Sequence, residues 1–428
     1  MFKHPRDRAV LATITVIVSV ALTACSPSSS NRQHVQVQSS GAPVRQLCKD
    51  APVQGCKEVT VGDRAYRYYF TGASSDGTAL LVDLGGPGIS LSSVLRPDYT
   101  TQFRKDLGQL SEDKGLLLIE EPWVDSPVNP VCKETARQFY SAVRAQWRTD
   151  KISAIPKMQC PWGQGVYGWN RETYRNVVTA IESKEHIHTL DMAALSFGSV
   201  RYSYIDDKIR TAALVRPAAA PGTANQVVVA ARALQLWKSI VNECDGCVTI
   251  ADAKAQLDRV LKRYAAGGLT TPGRSVPLTD FDVASALVAS AINPGAGPAL
   301  GWKSKAATVD AVNAGVLSDA LWERVGEEDV SPALVAYADE YCQAYPGTAV
   351  EIADDPVATV LAEPATCAGR KAETHKPKPV ACLIAGTNDM SAPAALARTW
   401  QVKASGTRVT TRSSQHWFTD MQDCGRMK

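Results

Sequence analysis

The sequence lacks an excess of either charge. Among 428 residues, Lys and Arg number 46 and Asp and Glu 43, a formal net charge of +3. So small an imbalance gives no electrostatic case for nucleic acid, which calls for clustered basic residues. Histidine is scarce, with six in the chain, so a histidine-dependent site has few candidates. The glycine loop Gly85-Gly86-Pro87-Gly88 neither forms a G-x-G-x-x-G nor is followed by Gly-Lys-Ser/Thr, so it carries neither of the two common phosphate-cradling fingerprints. No internal repeat at a period of 20–50 residues is visible. Beyond the first 24 residues there is no apolar run of about 18, the minimum for a spanning helix. A second Cys-x-x-Cys is missing, so Cys244 and Cys247 read as a small structural loop, not as half a zinc site or a redox pair. What remains is ordinary globular composition, 45% hydrophobic and 21% charged, ample for a real core in one large domain or two to three ordinary ones.

The first segment reads as an address. Residues 1–8 carry Lys3, Arg6 and Arg8 against Asp7, and residues 9–22 are uncharged and apolar. That run is too short to span a bilayer and fits a secretory signal. It ends Leu22-Thr23-Ala24-Cys25, which resembles a bacterial lipobox. The resemblance implies cleavage before Cys25 and diacylglycerol on its sulfur. Residues 1–24 are therefore expected to be a lipoprotein signal peptide. Residues 25–45, polar and Ser-rich, are expected to be a flexible tether. The expected location is extracytoplasmic, lipid-anchored to the bacterial cell membrane.

Setting Cys25 aside leaves ten cysteines, an even number in an exported chain, where disulfides persist. Spacing suggests the pairs Cys48–Cys56, Cys132–Cys160, Cys244–Cys247 and Cys342–Cys367, with Cys382–Cys424 left over. Spacing does not fix connectivity.

The mature chain alternates short apolar runs with helix-length stretches. Residues 57–61 and 64–70 alternate around Gly62-Asp63 and predict a hairpin. Buried strands are expected at 78–84, 115–119, 190–195, 211–215, 380–385 and 406–411, with helices at 131–148 and 170–184. This is the pattern of an α/β fold with a mostly parallel sheet and helices on both faces. Between the strands near 213 and 382 lies an Ala-rich, helix-patterned region, with helices expected at 223–243, 250–264, 280–292, 304–324 and 331–343. The expected organisation is a core over 46–217, a helical cap inserted over 218–374, and the last core strands over 375–428.

Chemistry-bearing residues fall at strand ends. Ser196 follows an apolar strand and precedes a helix-compatible run, in Ala194-Leu195-Ser196-Phe197-Gly198. A serine on such a turn has its Oγ lifted to the sheet's C-terminal edge, where the next N–H can serve an oxyanion. Small residues two before and two after the serine keep the turn from clashing; here they are Ala194 and Gly198. Asp389 follows the strand 380–385, and His416 follows the strand near 406–411. The order Ser, Asp, His is that of the α/β-hydrolases. A serine hydroxyl is a poor nucleophile until a base takes its proton, and a carboxylate orients that base. His416 is also left by elimination. His34 is in the tether and His375 in a polar stretch, while His186 and His188 precede the nucleophile strand at its other end. His186 and His188 form an H-x-H pair, but no third metal ligand is apparent. Asp420 is a rival for the acid. Gly85-Gly86-Pro87-Gly88 follows strand 78–84 and suits close backbone approach to a carbonyl. The oxyanion hole is therefore expected from the N–H groups of Gly86 and Phe197.

Together these motifs resemble the secreted actinobacterial α/β-hydrolase serine exopeptidases, the tripeptidyl aminopeptidase group related to prolyl aminopeptidases. The resemblance covers roughly residues 45–428. It rests on Leu84-Gly85-Gly86-Pro87-Gly88, on Ser196-Phe197-Gly198-Ser199, on Gly386 through Asp389 with Ala392-Pro393 departing at one position, and on His416 followed by Cys424. The positions of Cys132, Cys244, Cys247, Cys342 and Cys367 also resemble the family. The order of motifs is specific; each motif alone is not.

Three stretches depart from the family. The loop after the second core strand is usually D-x-R-G-x-G-x-S, but here it is Glu120-Glu121-Pro122-Trp123-Val124-Asp125-Ser126. The strand after the elbow helix ends Val215-Arg216-Pro217 in place of L-D-G, and Gln343-Ala344 follow Cys342 where an acidic residue is common. The resemblance implies a serine aminopeptidase releasing short N-terminal peptides, which needs a buried carboxylate to meet the substrate's ammonium. Glu120, Glu121, Asp339 and Glu340 are the candidates. An esterase of the same fold, or a lipoprotein that keeps the fold and binds without turnover, are the alternatives. The cap aromatics Trp237, Trp302, Trp322 and Tyr341 read as helix-packing core before they read as a substrate pocket. No metal or organic cofactor is implied, since the triad is self-sufficient. The expected partners are a peptide or small ester and the membrane.

Overall fold

A computed structural model describes residues 55–86, 103–122, 169–243, 249–265, 279–281, 340–346, 355–362, 375–413 and 421–424, with the isolated positions 134, 138 and 284. Eight strands form one sheet: β1 (Cys56–Val61), β2 (Arg64–Phe70), β3 (Thr78–Asp83), β4 (Gly115–Ile119), β5 (Thr189–Leu195), β6 (Ile209–Val215), β7 (Cys382–Gly386) and β8 (Val409–Arg412). The helices are α1 (Arg171–Glu185), α2 (Gly198–Ile205), α3 (Asn225–Glu243), α4 (Ile250–Ala265), α5 (Pro356–Ala362) and α6 (Ala394–Lys403). The strand order is β1-β2-β4-β3-β5-β6-β7-β8. β1 pairs with β2 and β2 with β4 antiparallel, and every later pairing is parallel. This is the α/β-hydrolase fold expected from the sequence, with a mostly parallel sheet and helices following its strands.

The apolar runs are continuous because both faces of the sheet are covered. In β3, Ala79 and Leu81 face one core cluster while Leu80 and Val82 face the other. In β5, Leu190, Met192 and Ala194 alternate in the same way with Ala193 and Leu195. The first face is covered by Tyr174, Val177, Val178 and Ile181 of α1, by Val200 and Tyr204 of α2, and by Leu396 and Trp400 of α6. The second is covered by Phe103, Leu107, Leu110 and Met421.

Local signals set the element ends. Gly62, at φ 62°, lies in the two-residue turn that closes β1 on β2 with Val61 opposite Arg64. Asn170 caps α1, its Oδ1 accepting the Thr173 N–H at 2.7 Å. At the other end His186 takes the left-handed conformation, and both its N–H and that of Ile187 turn back to the Glu182 carbonyl.

Between β6 and β7 the described residues include α3, α4, the helical stretch 340–344 and α5. Most of the helices expected at 131–148, 280–292, 304–324 and 331–343 lies outside the described residues. So do the signal peptide, Cys25 and the tether. Trp237 of α3 is buried, donating its indole N–H to Asp355 with Lys254 over its ring, a packing role. Tyr341 is buried against Tyr345, while Trp302 and Trp322 lie outside the described residues. No helix among the described residues is long and apolar enough to cross a membrane.

Cys382, opening β7, is bonded to Cys424 in the C-terminal 3₁₀ turn Met421–Cys424. Cys56 and Cys342 are disulfide-bonded too. Cys48, Cys132, Cys160, Cys244, Cys247 and Cys367 lie outside the described residues. The Cys382–Cys424 bridge spans 42 positions. A closed loop of that length is worth about 4 kcal/mol of unfolded-chain entropy. Replacing both cysteines by Ser is expected to lower unfolding free energy by about 2–4 kcal/mol in urea titrations, with an unchanged far-UV spectrum before the transition.

Candidate active site

Ser196 leaves β5 at the C-terminal edge of the sheet with φ 52°, the left-handed region. A residue with a β-carbon is disfavoured there by roughly 1–2 kcal/mol. Its backbone is held from both sides. The Ser196 N–H donates to the Val215 carbonyl at 3.2 Å. The Ser196 carbonyl accepts from the N–H groups of Ala218 (3.0 Å) and Ser199 (3.1 Å) and from Ser199 Oγ (2.7 Å). The side chain is half-buried. Phe197 caps α2, so its N–H stands at the positive end of that helix.

The glycine loop lies against this turn. A Cβ on Gly85 would come within 2.5 Å of the Leu195 carbonyl oxygen and 2.9 Å of both Phe197 N and Ser196 Cβ. A Cβ on Gly198 would meet the Asp83 carbonyl and Oδ1 at 2.7 Å. Glycine at these two positions is what lets β3 and the elbow approach so closely. Ala194, the alanine where a glycine is usual, packs fully buried in the core. Gly85 donates its N–H to Asp83 Oδ1 at 2.9 Å. That removes Gly85 as an oxyanion donor and leaves Gly86, at φ 105°, as the loop's candidate.

Asp389 is 1% exposed and accepts the Ala392 N–H on Oδ1 at 2.8 Å. Its turn is braced by α3, where Arg232 Nε donates to the Ser391 carbonyl at 2.9 Å and Gln235 Nε2 to the Thr387 carbonyl at 3.1 Å. β6 separates the strands that carry Ser196 and Asp389. Strands two apart lie about 10 Å from each other, which is the room a histidine between serine and acid needs. His416 and the rival Asp420 lie outside the described residues, as do Pro87 and Gly88. His186 and His188 stand at the N-terminal end of β5, away from Ser196. His375 pairs with Asp206 at 2.9 Å. No group of His, Cys, Asp and Glu among the described residues is arranged to hold a metal ion.

The sequence did not single out Arg201. All eight residues of α2 are buried, and Arg201 among them is 2% exposed. Its Nη1 reaches Asp83 Oδ1 and the Gly85 carbonyl, each at 3.2 Å, and Glu121 Oε1 at 3.0 Å. Its Nη2 reaches Glu340 Oε2 at 2.8 Å and Nε the same oxygen at 3.2 Å. Tyr174 donates its hydroxyl to Asp83 Oδ2 at 2.9 Å, and the Trp169 N–H donates to Glu340 Oε1 at 2.9 Å. The signal available in the sequence was Asp83 closing the apolar run of β3 and an arginine in a helix following an elbow; neither is distinctive alone.

Three of the four carboxylates considered for an amine anchor are thereby located. Glu121 and Glu340 hold Arg201, and Glu120 pairs with Arg67 at 2.5 Å. Asp339 lies outside the described residues. Arg216 begins the departure Val215-Arg216-Pro217. It is fully buried at φ 48° beside the elbow, its N–H donating to the Ile384 carbonyl at 2.7 Å.

Burial pushes the Glu121 carboxyl up to about 8. The Arg201 guanidinium pulls against that shift, and Glu340 and Asp83 add to it. Burial likewise raises Glu340. For Arg201 burial acts downward, but Glu121, Glu340 and Asp83 outweigh it and raise its pKa well above the usual value.

No family model matches the sequence, and a search of curated proteins gave no match. Among solved structures, a proline iminopeptidase of Mycobacterium smegmatis is similar at 12% identity, with 86% of this chain and 93% of that chain covered and a TM-score of 0.38. An esterase of a Rhodococcus species is similar at 14% identity, covering 85% and 92%, with a TM-score of 0.35. An enol-lactonase of Burkholderia xenovorans is similar at 14% identity, covering 87% and 94%, with a TM-score of 0.33.

A carboxyl with a folded pKa of about 8 against an ordinary value of 4.5 holds its proton on folding. Its contribution to stability is therefore lost as pH rises from about 4.5 through 8. Glu121→Gln keeps an oxygen toward Arg201 and cannot ionise. The melting temperature of Glu121→Gln relative to wild type is expected to climb between pH 5 and 8 and to level off above. A constant difference across that range in parallel thermal melts would show Glu121 ionised throughout.

Proposed function

We propose that the protein is a serine acyl hydrolase, anchored outside the cell membrane through lipid on Cys25, that releases short peptides from the amino termini of its substrates. The observation that carries the hydrolase reading is Ser196 itself, a left-handed serine between β5 and α2 with a glycine loop packed against it. In this reading Ser196 Oγ attacks the scissile carbonyl carbon. His416 takes the hydroxyl proton and later delivers it to the leaving amine. Asp389 orients the imidazole and stabilises its protonated form. The N–H groups of Gly86 and Phe197 hold the oxyanion. Water then attacks the acyl-enzyme, with His416 again as base, and Ser196 is restored.

A second reading, an ester hydrolase, is favoured by one specific observation. Glu121 and Glu340 surround an internal guanidinium, and Glu120 is paired with Arg67. An uncharged ester needs no carboxylate to receive it.

A fluorophosphonate probe on the full chain tests the nucleophile. Wild type is expected to be labelled and Ser196→Ala not at all. Asp389→Asn is expected to react about 10³–10⁴-fold more slowly, as loss of the orienting carboxylate does in a triad. No labelling of folded wild type would overturn the hydrolase reading in favour of a binding lipoprotein. Rates on tripeptide, proline and N-acylated p-nitroanilides beside p-nitrophenyl esters then separate the two substrate classes. Turnover that requires a free amino terminus supports the peptidase, and indifference to it supports the esterase.

Anchoring has its own test. Metabolic labelling with a fatty acid is expected to mark wild type and to vanish in Cys25→Ala, with the variant recovered in the soluble fraction. Equal labelling of both would refute attachment at Cys25.

A further inference from the structure

We propose that Arg201 is a positioning residue that aims the Gly86 N–H; the inference rests on the acyl-hydrolase reading above. Its ground is the geometry of one peptide unit. The Gly85 carbonyl and the Gly86 N–H belong to the same planar trans peptide and point in opposite directions. Arg201 Nη1 holds that carbonyl at 3.2 Å from the buried side. The N–H at the other end of the unit is thereby turned away from the guanidinium. The preceding peptide is fixed as well, because the Gly85 N–H donates to Asp83 Oδ1, which Arg201 also holds.

The guanidinium is itself fixed at three points. Glu340 takes Nε and Nη2, Glu121 takes Nη1, and the guanidinium carbon Cζ lies over the Phe197 ring, 5.9 Å from its centroid. Phe197 is the other expected oxyanion donor, and its ring also meets Tyr345 edge-on at 6.3 Å. One cation therefore spans both halves of the expected oxyanion hole. It also ties them to the chain segment at 340–345, which lies between β6 and β7. Lysine cannot replace it, since an ammonium has no fork to hold Glu340 and the Gly85 carbonyl at once.

The test is inactivation kinetics with a fluorophosphonate, whose phosphoryl oxygen takes the oxyanion's place. Arg201→Lys keeps the charge. Its kinact is expected to fall about 10- to 100-fold, somewhat less than deletion of an oxyanion donor costs, while KI stays within about threefold. A merely structural arginine would lower the melting temperature and leave kinact per folded molecule unchanged, and that result overturns the proposal. Arg201→Met with Glu340→Gln removes a buried cation and one of its buried anions together, which reduces the charge left unpaired, and Asp83 keeps the Tyr174 hydroxyl and the Gly85 N–H as donors. This double variant is expected to lose about 100-fold in kinact; a wild-type rate in it also overturns the proposal. Unlabelled wild type would defeat the hydrolase reading and this inference together. Labelled wild type with unaffected variants would defeat this inference alone.

Discussion

One buried guanidinium organises the end of the sheet that carries Ser196. Arg201 is surrounded by Asp83, Glu121 and Glu340, which come from β3, from the residue pair following β4 and from the helical stretch 340–344 between β6 and β7. Buried charge is costly unless paired and hydrogen-bonded, and here the pairing connects segments that share no strand. Removing the cation would leave carboxylates facing one another where no water screens them. Burial and the neighbouring carboxylates push the Glu121 carboxyl up to about 8 against the pull of Arg201.

Sterics impose a second constraint on the same place. The loop after β3 and the turn after β5 approach until only hydrogen fits between them, at Gly85 on one side and Gly198 on the other. The strained serine is held by its neighbours on β6 and by its own helix. Electrostatics and close packing thus specify one arrangement of the same few backbone groups, which is the condition for a donor to point at a developing charge without reorganising.

Much of this was legible in the sequence. The inner strands were readable because both faces of the sheet are buried there, so their runs are largely apolar and bounded by turns, while β1 and β2 were readable from their alternation around a two-residue turn. β8 was the weakest case. Its observed span, Val409–Arg412, carries no buried residue and starts later than the expected 406. Ser196 and Asp389 were readable from their places after β5 and β7. The pairing of Cys382 with Cys424 was readable only as the remainder after shorter spacings were assigned. Arg201 was not legible, because its meaning lies in partners far apart along the chain. Glu121 and Glu340 were legible only as acids among four candidates. They were considered as receptors for a ligand's positive charge, and the structure gives them one that the chain supplies itself.

The register of β6 and β7, with Val215 opposite Ile384, carries a further consequence. The backbone turns of the elbow and its glycine loop lie between residues 78 and 218, whereas Glu340, which holds Arg201, lies in the long inserted stretch between β6 and β7 and Asp389 comes after it. Closure entropy grows slowly with loop length, so such an insertion can lengthen or shorten at little equilibrium cost. Its effect falls on time instead, since distant pairings form slowly. The backbone of the turn at Ser196 can assemble from nearer contacts, and the anchoring of Arg201 by Glu340 and the arrival of Asp389 must wait for later parts of the chain.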